Sequence, residues 1–329
     1  MIEILSSGPL GSIQDLGRTG YRNLGVGSAG AMDARALRIG NLLVGNPEGH
    51  AGIEFTLGGF SVRFESDTVF SLTGADVSAT LDGEPVPPWW VRRARAGQVL
   101  KAGMARHGMR TMLCVAGGIG VATVLGSRST DMKGGFGGHE GRSLKAGDRL
   151  AVGPDALCDM PERGFGLDIW RLGLVALPGA ETSIRFLPAA EWPSLSPAVQ
   201  ERFLSGSWKL RPDSNRMGYR FQGEALQFER PLELFSHGIV PGTIQLPPEG
   251  QPVIQLNDAN TSGGYPKLGV VIAEDLPVLA QVPLGTSVRF EAVTRDVALN
   301  AMRQNEAILD ALPDRIELAR DYAKRWGRK

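Results

Sequence analysis

The stretch Gly242-Thr-Ile-Gln-Leu-Pro-Pro-Glu-Gly-Gln-Pro-Val-Ile-Gln-Leu-Asn-Asp258 indicates how the C-terminal half of the chain folds. Two β-like runs, Gly242–Leu246 and Val253–Leu256, flank a loop with three prolines and a glycine. A second loop, Thr261-Ser-Gly-Gly-Tyr-Pro-Lys267, follows them. Proline fixes φ, whereas glycine adopts angles that other residues avoid. Because rigid polar loops held on strands commonly carry binding residues, the stretch predicts either a functional site or an ornate β-hairpin.

Glycine and proline punctuate the whole chain of 329 residues, with 44 Gly and 21 Pro spread among many short apolar runs. This pattern is typical of β-barrels and sandwiches. We therefore predict a mainly β (α+β) protein with two β-rich subdomains. A weakly patterned seam near residues 151–180 places them at 1–155 and 156–293, followed by a helical tail at 294–329.

The composition limits the function classes. Lys plus Arg and Asp plus Glu both number 35, so the basic footprint of a nucleic-acid binder is absent. Two cysteines indicate no disulfide framework. The N-terminus lacks the features of a signal peptide, and the apolar run Met112–Leu125 is interrupted by glycines and too short to span a bilayer. We expect a cytoplasmic protein with neither nucleic acid nor membrane as a partner.

Local patterns predict individual elements. Ile2–Leu5 is predicted as a strand, and Asp82-Gly83 as the turn of a hairpin that pairs Ala79 with Val86. Val278–Ala280 is also predicted as a strand. Other predicted helices lie at Asp33–Leu43 and on both sides of Pro313, where apolar residues recur with a helical period.

Familiar catalytic motifs are missing from the sequence. Gly25-Val-Gly-Ser-Ala-Gly30 matches G-x-G-x-x-G, but no core strand precedes it and no βαβ alternation follows. The chain has neither a Walker-type phosphate loop nor a G-x-S-x-G elbow. Its four histidines are scattered, so no metal site is predicted. Met132-Lys133 lacks the context of a biotin attachment site.

Polar side chains on glycine-rich loops are the remaining candidates. Arginine suits carboxylate or phosphate, Gln and Asn orient amides, and backbone N–H groups beside Gly263-Gly264 could hold a developing oxyanion. A small amide or carboxylate substrate is consistent with these groups. Each residue taken singly is better explained by a structural role, in capping a turn or in a surface pair, than by catalysis.

Several spaced motifs give the chain a family resemblance. They are Ser12-Ile-Gln-Asp-Leu-Gly-Arg-Thr-Gly-Tyr21, Ser28-Ala-Gly-Ala-Met-Asp33, Leu72-Thr-Gly-Ala-Asp76, Leu125-Gly-Ser-Arg-Ser-Thr130, Ser214-Asn-Arg-Met-Gly-Tyr-Arg220 and Thr261–Lys267. The sequence resembles the biotin-dependent carboxyltransferase family. That family includes the C-type subunit of bacterial 5-oxoprolinase, the second half of the urea carboxylase carboxyltransferase domain, and proteins labelled allophanate hydrolase subunit 2.

The resemblance implies a cyclophilin-like β-barrel in the C-terminal half and a related B-type subunit as partner. In a 5-oxoprolinase, an A-type subunit joins them and ATP drives hydrolysis of the lactam to glutamate. We therefore expect a chain that is inactive alone, with ATP used together with a partner and no biotin attached here. One alternative is a carboxyltransferase component for urea or a related amide, served by a separate biotinylated protein. Another is a regulatory, non-catalytic binder of a protein that resembles the B-type subunit.

From the polar sets and the resemblance we predict site residues in two roles. The predicted catalytic residues are Asp258, Thr261, Tyr265, Lys267 and Gln251. The predicted substrate-binding residues are Arg216, Asn215, Gln245, Gly263, Gly264, Gln14, Arg18 and Arg128.

This chain departs from the family pattern near these residues. The family commonly has Ala-Asp-x-Gln-Thr-Thr-Gly-Gly-Tyr-Pro, where this chain has Asn257, Asn260 and Ser262 in place of Ala, Gln and the second Thr. His237 stands where a Glu is usual, which exchanges a carboxylate for a group that titrates near neutrality. These differences predict a change in substrate or a surface position for His237.

Overall fold

The computed structural model describes residues 1–154, 160–169, 182–230, 232 and 234–326. The chain divides into two compact units. The first comprises Met1–Thr19, Ala29–Val175 and Glu306–Lys329, and the second comprises Gly20–Ser28 and Ala176–Asn305. The predicted boundary at 155/156 lies outside the described residues and stays a prediction.

The first unit is built from two six-stranded sheets, ordered β11-β1-β4-β9-β6-β7 and β12-β8-β5-β10-β3-β2. Its strands are β1 (Ile2–Ser7), β2 (Leu10–Gln14), β3 (Gly52–Thr56), β4 (Phe60–Phe64), β5 (Thr68–Asp76), β6 (Ala79–Leu81), β7 (Glu84–Val86), β8 (Trp90–Ala94), β9 (Val99–Lys101), β10 (His107–Val115), β11 (Arg149–Leu150) and β12 (Phe165–Gly166). The predicted hairpin is confirmed, since Ala79 pairs with Val86.

Both sheets contribute side chains to one apolar core. Ile2 of β1 and Leu100 of β9 are buried with Phe55 of β3 and Phe70 of β5. Phe55 stacks on Phe60 with ring centroids 3.8 Å apart. Alternating apolar residues on the strands supply this core, and each fully buried aromatic or aliphatic side chain contributes about 1.5–3 kcal/mol.

Helices bury a second core against β10. The helix α1 (Ala34–Leu43) begins at Asp33, whose carboxylate accepts a 2.8 Å hydrogen bond from the N–H of Ala36. Leu37 on this helix packs in one cluster with Met112 of β10 and with Leu312 and Ile316 near the C-terminus. The C-terminal residues from Glu306 onward therefore belong to the first unit.

The predicted C-terminal helices are present. The structure has α4 (Arg295–Asp310) and α5 (Leu312–Trp326), which are separated at Ala311 beside the predicted breaker Pro313. Proline is tolerated in the first turn of a helix but not in its interior, so it begins α5 instead of continuing α4. In sequence, the boundary between the two units falls within α4.

The second unit is a closed barrel ordered β13-β20-β17-β18-β15-β14-β21, accompanied by a two-stranded ribbon of β16 and β19. Its strands are β13 (Thr182–Pro188), β14 (Trp208–Leu210), β15 (Gly218–Gln222), β16 (His237–Gly238), β17 (Thr243–Gln245), β18 (Val253–Gln255), β19 (Ser262–Gly263), β20 (Lys267–Val271) and β21 (Ser287–Ala292). The helices α2 (Pro197–Ser205) and α3 (Leu276–Ala280) complete it.

Aromatic rings fill the barrel interior. Phe203 of α2 stacks on Phe290 of β21 at 4.8 Å, and Phe186 of β13 meets both rings edge-on at 5.6 and 6.4 Å. Edge-to-face and offset contacts of this kind add about 0.5–1.5 kcal/mol per pair beyond their area burial. The predicted mainly β fold, with a barrel in the C-terminal half and a helical tail, is confirmed.

The quoted stretch forms the predicted hairpin, since Ile244 of β17 pairs with Ile254 of β18. The strand predicted at Val278–Ala280 is wrong, because these residues end the short helix α3. Pro277 sits in the first turn of that helix, where its fixed φ favours helical geometry and its missing N–H leaves no bond unmade. The apolar run therefore indicates a buried segment but does not indicate a strand.

Candidate functional site

The barrel and the ribbon bring several polar loop residues of the second unit to one place. Gln245 of β17 lies opposite Lys267 of β20 in the barrel. His237 of β16 lies opposite Gly263 of β19 in the ribbon. We call Glu191, His237, Gln245, Gly263 and Lys267 the Lys267 cluster.

The ammonium group of Lys267 has three polar neighbours, two of which are carbonyl oxygens that accept its hydrogen bonds. Its Nζ lies 3.2 Å from the carbonyl oxygen of Gly263, 3.4 Å from that of Tyr265 and 3.3 Å from Nδ1 of His237. The residue is only 7% exposed. Burial lowers the pKa of Lys267, and the negative charge of Glu191 opposes that shift. A buried lysine with a lowered pKa is a candidate proton donor or acceptor.

His237 connects Lys267 to a carboxylate. Its Nε2 lies 3.9 Å from Oε1 of Glu191, and its Nδ1 lies 3.0 Å from the carbonyl oxygen of Phe235. The His237 side chain is 46% exposed, and Phe235 beside it is 97% exposed. The cluster is therefore closed on its barrel side and accessible at the imidazole.

Gln245 supplies an unused donor. The residue is 3% exposed, and its Nε2 has no hydrogen-bond partner among the described residues. A Cβ atom on Gly263 would lie 2.7 Å from that nitrogen, so a side chain at position 263 would displace the Gln245 amide. A buried donor without a partner is costly, and a bound ligand or water commonly satisfies such a group.

Two further residues that were predicted for the site form an ion pair with each other. Arg216 and Asp258 form a bidentate ion pair with distances of 2.8 and 3.0 Å and with side chains 3% and 5% exposed. Asn215 accepts a 2.8 Å hydrogen bond from the N–H of Met217 and so shapes the loop before β15. The fold brings the two residues together, and their charges neutralise each other inside the protein.

Thr261, Tyr265 and Gly264 lie at different places around the ribbon. The carbonyl oxygen of Thr261 accepts a 3.0 Å hydrogen bond from the N–H of Ile239, which fixes the end of the ribbon. The Tyr265 side chain is 50% exposed next to Lys267 in sequence. A Cβ on Gly264 would lie 3.0 Å from the carbonyl oxygen of Leu234, so this loop also approaches closely.

Gln251 lies on a separate surface groove. Its Oε1 accepts from the N–H of Gly223 at 2.8 Å, and its Nε2 donates to the carbonyl oxygen of Gly223 at 3.2 Å. The groove has a volume of about 610 Å³ and is lined by Arg211, Pro212, Asp213, Gln222, Gly223 and Gln251. The two hydrogen bonds give Gln251 a role in the local backbone.

The predicted residues of the first unit surround a buried carboxylate. Asp15 accepts hydrogen bonds from the Oγ atoms of Ser127 and Ser129, both at 2.6 Å, and from the N–H groups of Gly17 and Arg128. We call Asp15, Ser127, Arg128 and Ser129 the Asp15 cluster. Because each carboxylate oxygen accepts bonds from the loop, this cluster fixes the loop that carries Arg128.

Gln14 and Arg18 flank the Asp15 cluster. Gln14 is fully buried, donates to Oγ of Ser12 at 3.0 Å and accepts from the N–H of Gly30 at 3.0 Å. Arg18 donates to the carbonyl oxygen of Val124 at 3.2 Å and lies over the ring of Phe136 at 4.6 Å. The structure thus brings the predicted first-unit residues together through hydrogen bonds within the protein.

Two residues of the Lys267 cluster lie outside the predicted site residues. The sequence signal at His237 is its departure from the family pattern. Glu191 stands in the segment between β13 and α2, far from the motifs in sequence, and only the folded barrel brings it to His237. Groups of three or more His, Cys, Asp or Glu that could hold a metal do not occur among the described residues.

The helices carry no signature of membrane insertion. Within the described ranges, every helix is too short or too polar to cross a bilayer.

Comparison with known proteins identifies the family to which this chain belongs. The family model described as carboxyltransferase domain, subdomain A and B, matches residues 24–292, and the chain belongs to this family. The predicted family is therefore confirmed.

Individual relatives are similar to this chain over nearly its whole length. The C-type subunit of 5-oxoprolinase from Haemophilus influenzae is 43% identical over 312 residues, which cover 95% of this chain and 97% of that protein. The protein of the same name from Escherichia coli is 42% identical over 96% of this chain and 99% of its own length. The crystal structure of Kluyveromyces lactis urea carboxylase superposes with a TM-score of 0.85 and 29% identity, over 93% of this chain but only 29% of the enzyme.

Proposed function

We propose that this chain is the C-type subunit of a heteromeric, ATP-dependent enzyme that hydrolyses a cyclic amide, with 5-oxoproline as substrate and glutamate as product. The observation that carries the proposal is the nearly complete mutual coverage with two proteins named as C-type subunits of 5-oxoprolinase, at 42% and 43% identity. The proposed partners are a B-type subunit and an A-type subunit.

The amide bond of the proposed substrate is stable, so its hydrolysis requires activation. An unstrained amide is a poor electrophile, and transfer of a phosphoryl group to its oxygen supplies a leaving group. The Lys267 cluster does not fit a triphosphate, because Lys267 donates to the carbonyl oxygens of Gly263 and Tyr265 and Glu191 places a negative charge nearby. We therefore propose that ATP is bound with the partner subunit and outside this cluster.

The residues of this chain would act on the amide itself. A buried lysine with a lowered pKa can deliver or accept a proton, and the spare Nε2–H of Gln245 can orient a carbonyl or carboxylate oxygen. We propose the Lys267 cluster as the centre of the site, with Tyr265 and Thr261 on its exposed side. Asp258 and Arg216 would support the loop, and the roles predicted for Gln251, Asn215, Gly264, Gln14, Arg18 and Arg128 stay predictions.

Reconstitution tests the proposal. The chain is purified with its B-type and A-type partners, and glutamate release from 5-oxoproline is measured with and without ATP. We expect release that requires both ATP and this chain. An assembly that hydrolyses ATP but releases no glutamate would overturn the proposal.

One alternative has a specific observation in its favour. The superposition on urea carboxylase with a TM-score of 0.85 supports a carboxyltransferase component acting on urea or a related amide. Transfer of the carboxyl group from added carboxybiotin to urea, independent of ATP, is the outcome that would favour it.

A further inference from the structure

The three polar neighbours of the Lys267 ammonium differ in kind. Two are main-chain carbonyl oxygens, of Gly263 and Tyr265, whose positions are set by β19 and β20. The third is the imidazole of His237, a side chain with nearly half its surface exposed. Of these three partners, only the imidazole can change its hydrogen-bonding character by gaining or losing a proton.

Nδ1 of His237 lies between a donor and an acceptor, 3.3 Å from Nζ of Lys267 and 3.0 Å from the carbonyl oxygen of Phe235. A neutral imidazole carries one proton, on either nitrogen. In the tautomer with the proton on Nε2, which lies 3.9 Å from the Glu191 carboxylate, Nδ1 accepts a hydrogen bond from the Lys267 ammonium. In the other tautomer, Nδ1–H donates to Phe235. When the imidazole is protonated on both nitrogens, Nδ1–H donates to the Phe235 carbonyl oxygen, and Lys267 loses its third acceptor.

We propose that His237 and Glu191 are positioning residues that together set the protonation state of Lys267. With His237 neutral and its proton on Nε2, the ammonium form of Lys267 has three acceptors. With His237 protonated, two cations would face each other across 3.3 Å, so the two sites cannot both be charged without cost. Glu191 acts through the imidazole and through its own charge.

The charged groups that face His237 come from two elements. Lys267 approaches from β20, and Glu191 approaches from the segment between β13 and α2. The neighbouring carbonyl of Phe235 comes from the segment before β16. Burial lowers the pKa of Lys267 and the Glu191 charge raises it, which agrees in direction with a cation that depends on these partners.

The coupling can be measured without substrate. The chain has only seven lysines, so labelling with [13Cε]lysine gives few signals, and Lys267→Arg identifies the one from Lys267. Its titration is followed by NMR in the full-length chain as wild type, His237→Leu, His237→Gln and Glu191→Gln. The exposed Lys209 in the same barrel serves as the internal control.

The variants have distinct expected results. His237→Leu removes the acceptor and lowers the titration midpoint of Lys267 by roughly one pH unit, a tenfold change. His237→Gln keeps an acceptor oxygen and leaves the midpoint within a few tenths of a unit. Glu191→Gln lowers the midpoint by less than His237→Leu, and Lys209 does not move in any variant.

A second readout separates coupling from simple contact. In the wild type, the Lys267 signal shows an additional inflection where the neighbouring imidazole gains its proton, and this inflection is absent in His237→Gln. An unchanged Lys267 midpoint in His237→Leu would overturn the inference, and so would an inflection that persists in His237→Gln.

The catalytic consequence rests on the proposed function. In the reconstituted assembly, we expect His237→Leu to lower turnover across the pH range, and His237→Gln, which keeps an acceptor oxygen, to lower it less and to flatten the acid limb of the pH profile. If the assembly does not act on 5-oxoproline while the NMR results hold, the proposed function fails and the coupling stands.

Discussion

The Asp15 cluster and the Lys267 cluster are built from the same kinds of sequence but differ in how complete they are. Both stand on glycine-rich loops at the ends of strands. The Asp15 carboxylate accepts from two hydroxyls and two N–H groups, and its hydroxyl partners are fully buried. The Lys267 cluster keeps an unused amide donor on Gln245 and an exposed imidazole on His237.

The difference shows how a polar network that stabilises the fold can be distinguished from one that is available to bind a ligand. A polar network that satisfies all its own donors and acceptors stabilises the loop it holds. A network with an unused buried donor and an accessible partner is less stable by an amount that a bound ligand can offset. The same distinction sets Arg216 and Asp258, a closed pair, apart from Lys267 in the same unit.

The largest expected effect is on the closed pair of the second unit. Asp258→Ala should lower the free energy of unfolding by about 4 kcal/mol, because it leaves the Arg216 charge buried without its carboxylate. Urea denaturation measures the loss. The control is the double variant Arg216→Met with Asp258→Leu, which should be markedly more stable than the single variant. An equal loss of unfolding free energy in the single and the double variant would show that the unpaired Arg216 charge does not cause the loss.

The next effect tests whether the Asp15 cluster is structural. Asp15→Ala should cost about 3 kcal/mol, because four donors lose their acceptor at once. Asp76→Ala is the matched control, since the Asp76 carboxylate accepts a 2.9 Å bond from the N–H of Ser78 at a more exposed position. A similar small loss in both variants, measured by the same denaturation experiment, would contradict a supporting role for the Asp15 cluster.

Smaller effects are expected for two buried glutamines, whose replacement by leucine should change the free energy of unfolding in opposite directions. Gln245→Leu removes a donor without a partner in the described structure and should raise the free energy of unfolding by about 1 kcal/mol. Gln14→Leu, by contrast, breaks hydrogen bonds to Ser12 and Gly30 and should lower it by about 2 kcal/mol. Changes of the same sign in thermal unfolding would remove the distinction between the clusters.

The smallest effect concerns acid stability in the first unit. The hydrogen bonds from Arg142, at 2.7 and 2.9 Å, lower the pKa of Asp148 from 3.8 to about 2. Since the pKa is depressed in the folded state, the stabilisation is present above the unfolded pKa of 3.8 and is lost as the pH falls toward 2. Asp148→Asn should therefore show a flatter decline of melting temperature across this pH window. Parallel declines would contradict this contribution.

Much of the fold follows from local sequence. The hairpin of β17 and β18 was predictable because prolines and a glycine separate two apolar runs, and the helical tail because its apolar residues recur with a helical period. Val278–Ala280 was predicted wrongly because a short apolar run has no period that separates strand from helix, and tertiary burial decided it.

The candidate site was predictable only in part. Lys267, Gln245 and Gly263 lie within one loop-rich stretch, and their residue types pointed to polar chemistry. The pairing of Arg216 with Asp258 depends on the approach of two separate loops, and the position of Glu191 near His237 depends on closure of the barrel. Such long-range contacts have no local pattern, so the sequence could not distinguish a closed ion pair from an open site.

Turnover of Lys267→Met in the reconstituted assembly tests the central claim most directly. Glutamate release from 5-oxoproline with ATP is compared for wild type, Lys267→Met and the exposed control Lys209→Met, after equal incorporation into the assembly has been verified. We predict that Lys267→Met lowers kcat at least about 100-fold, as expected for loss of a proton-transfer group, while Lys209→Met matches wild type. A Lys267→Met assembly that turns over within about twofold of wild type would contradict the account.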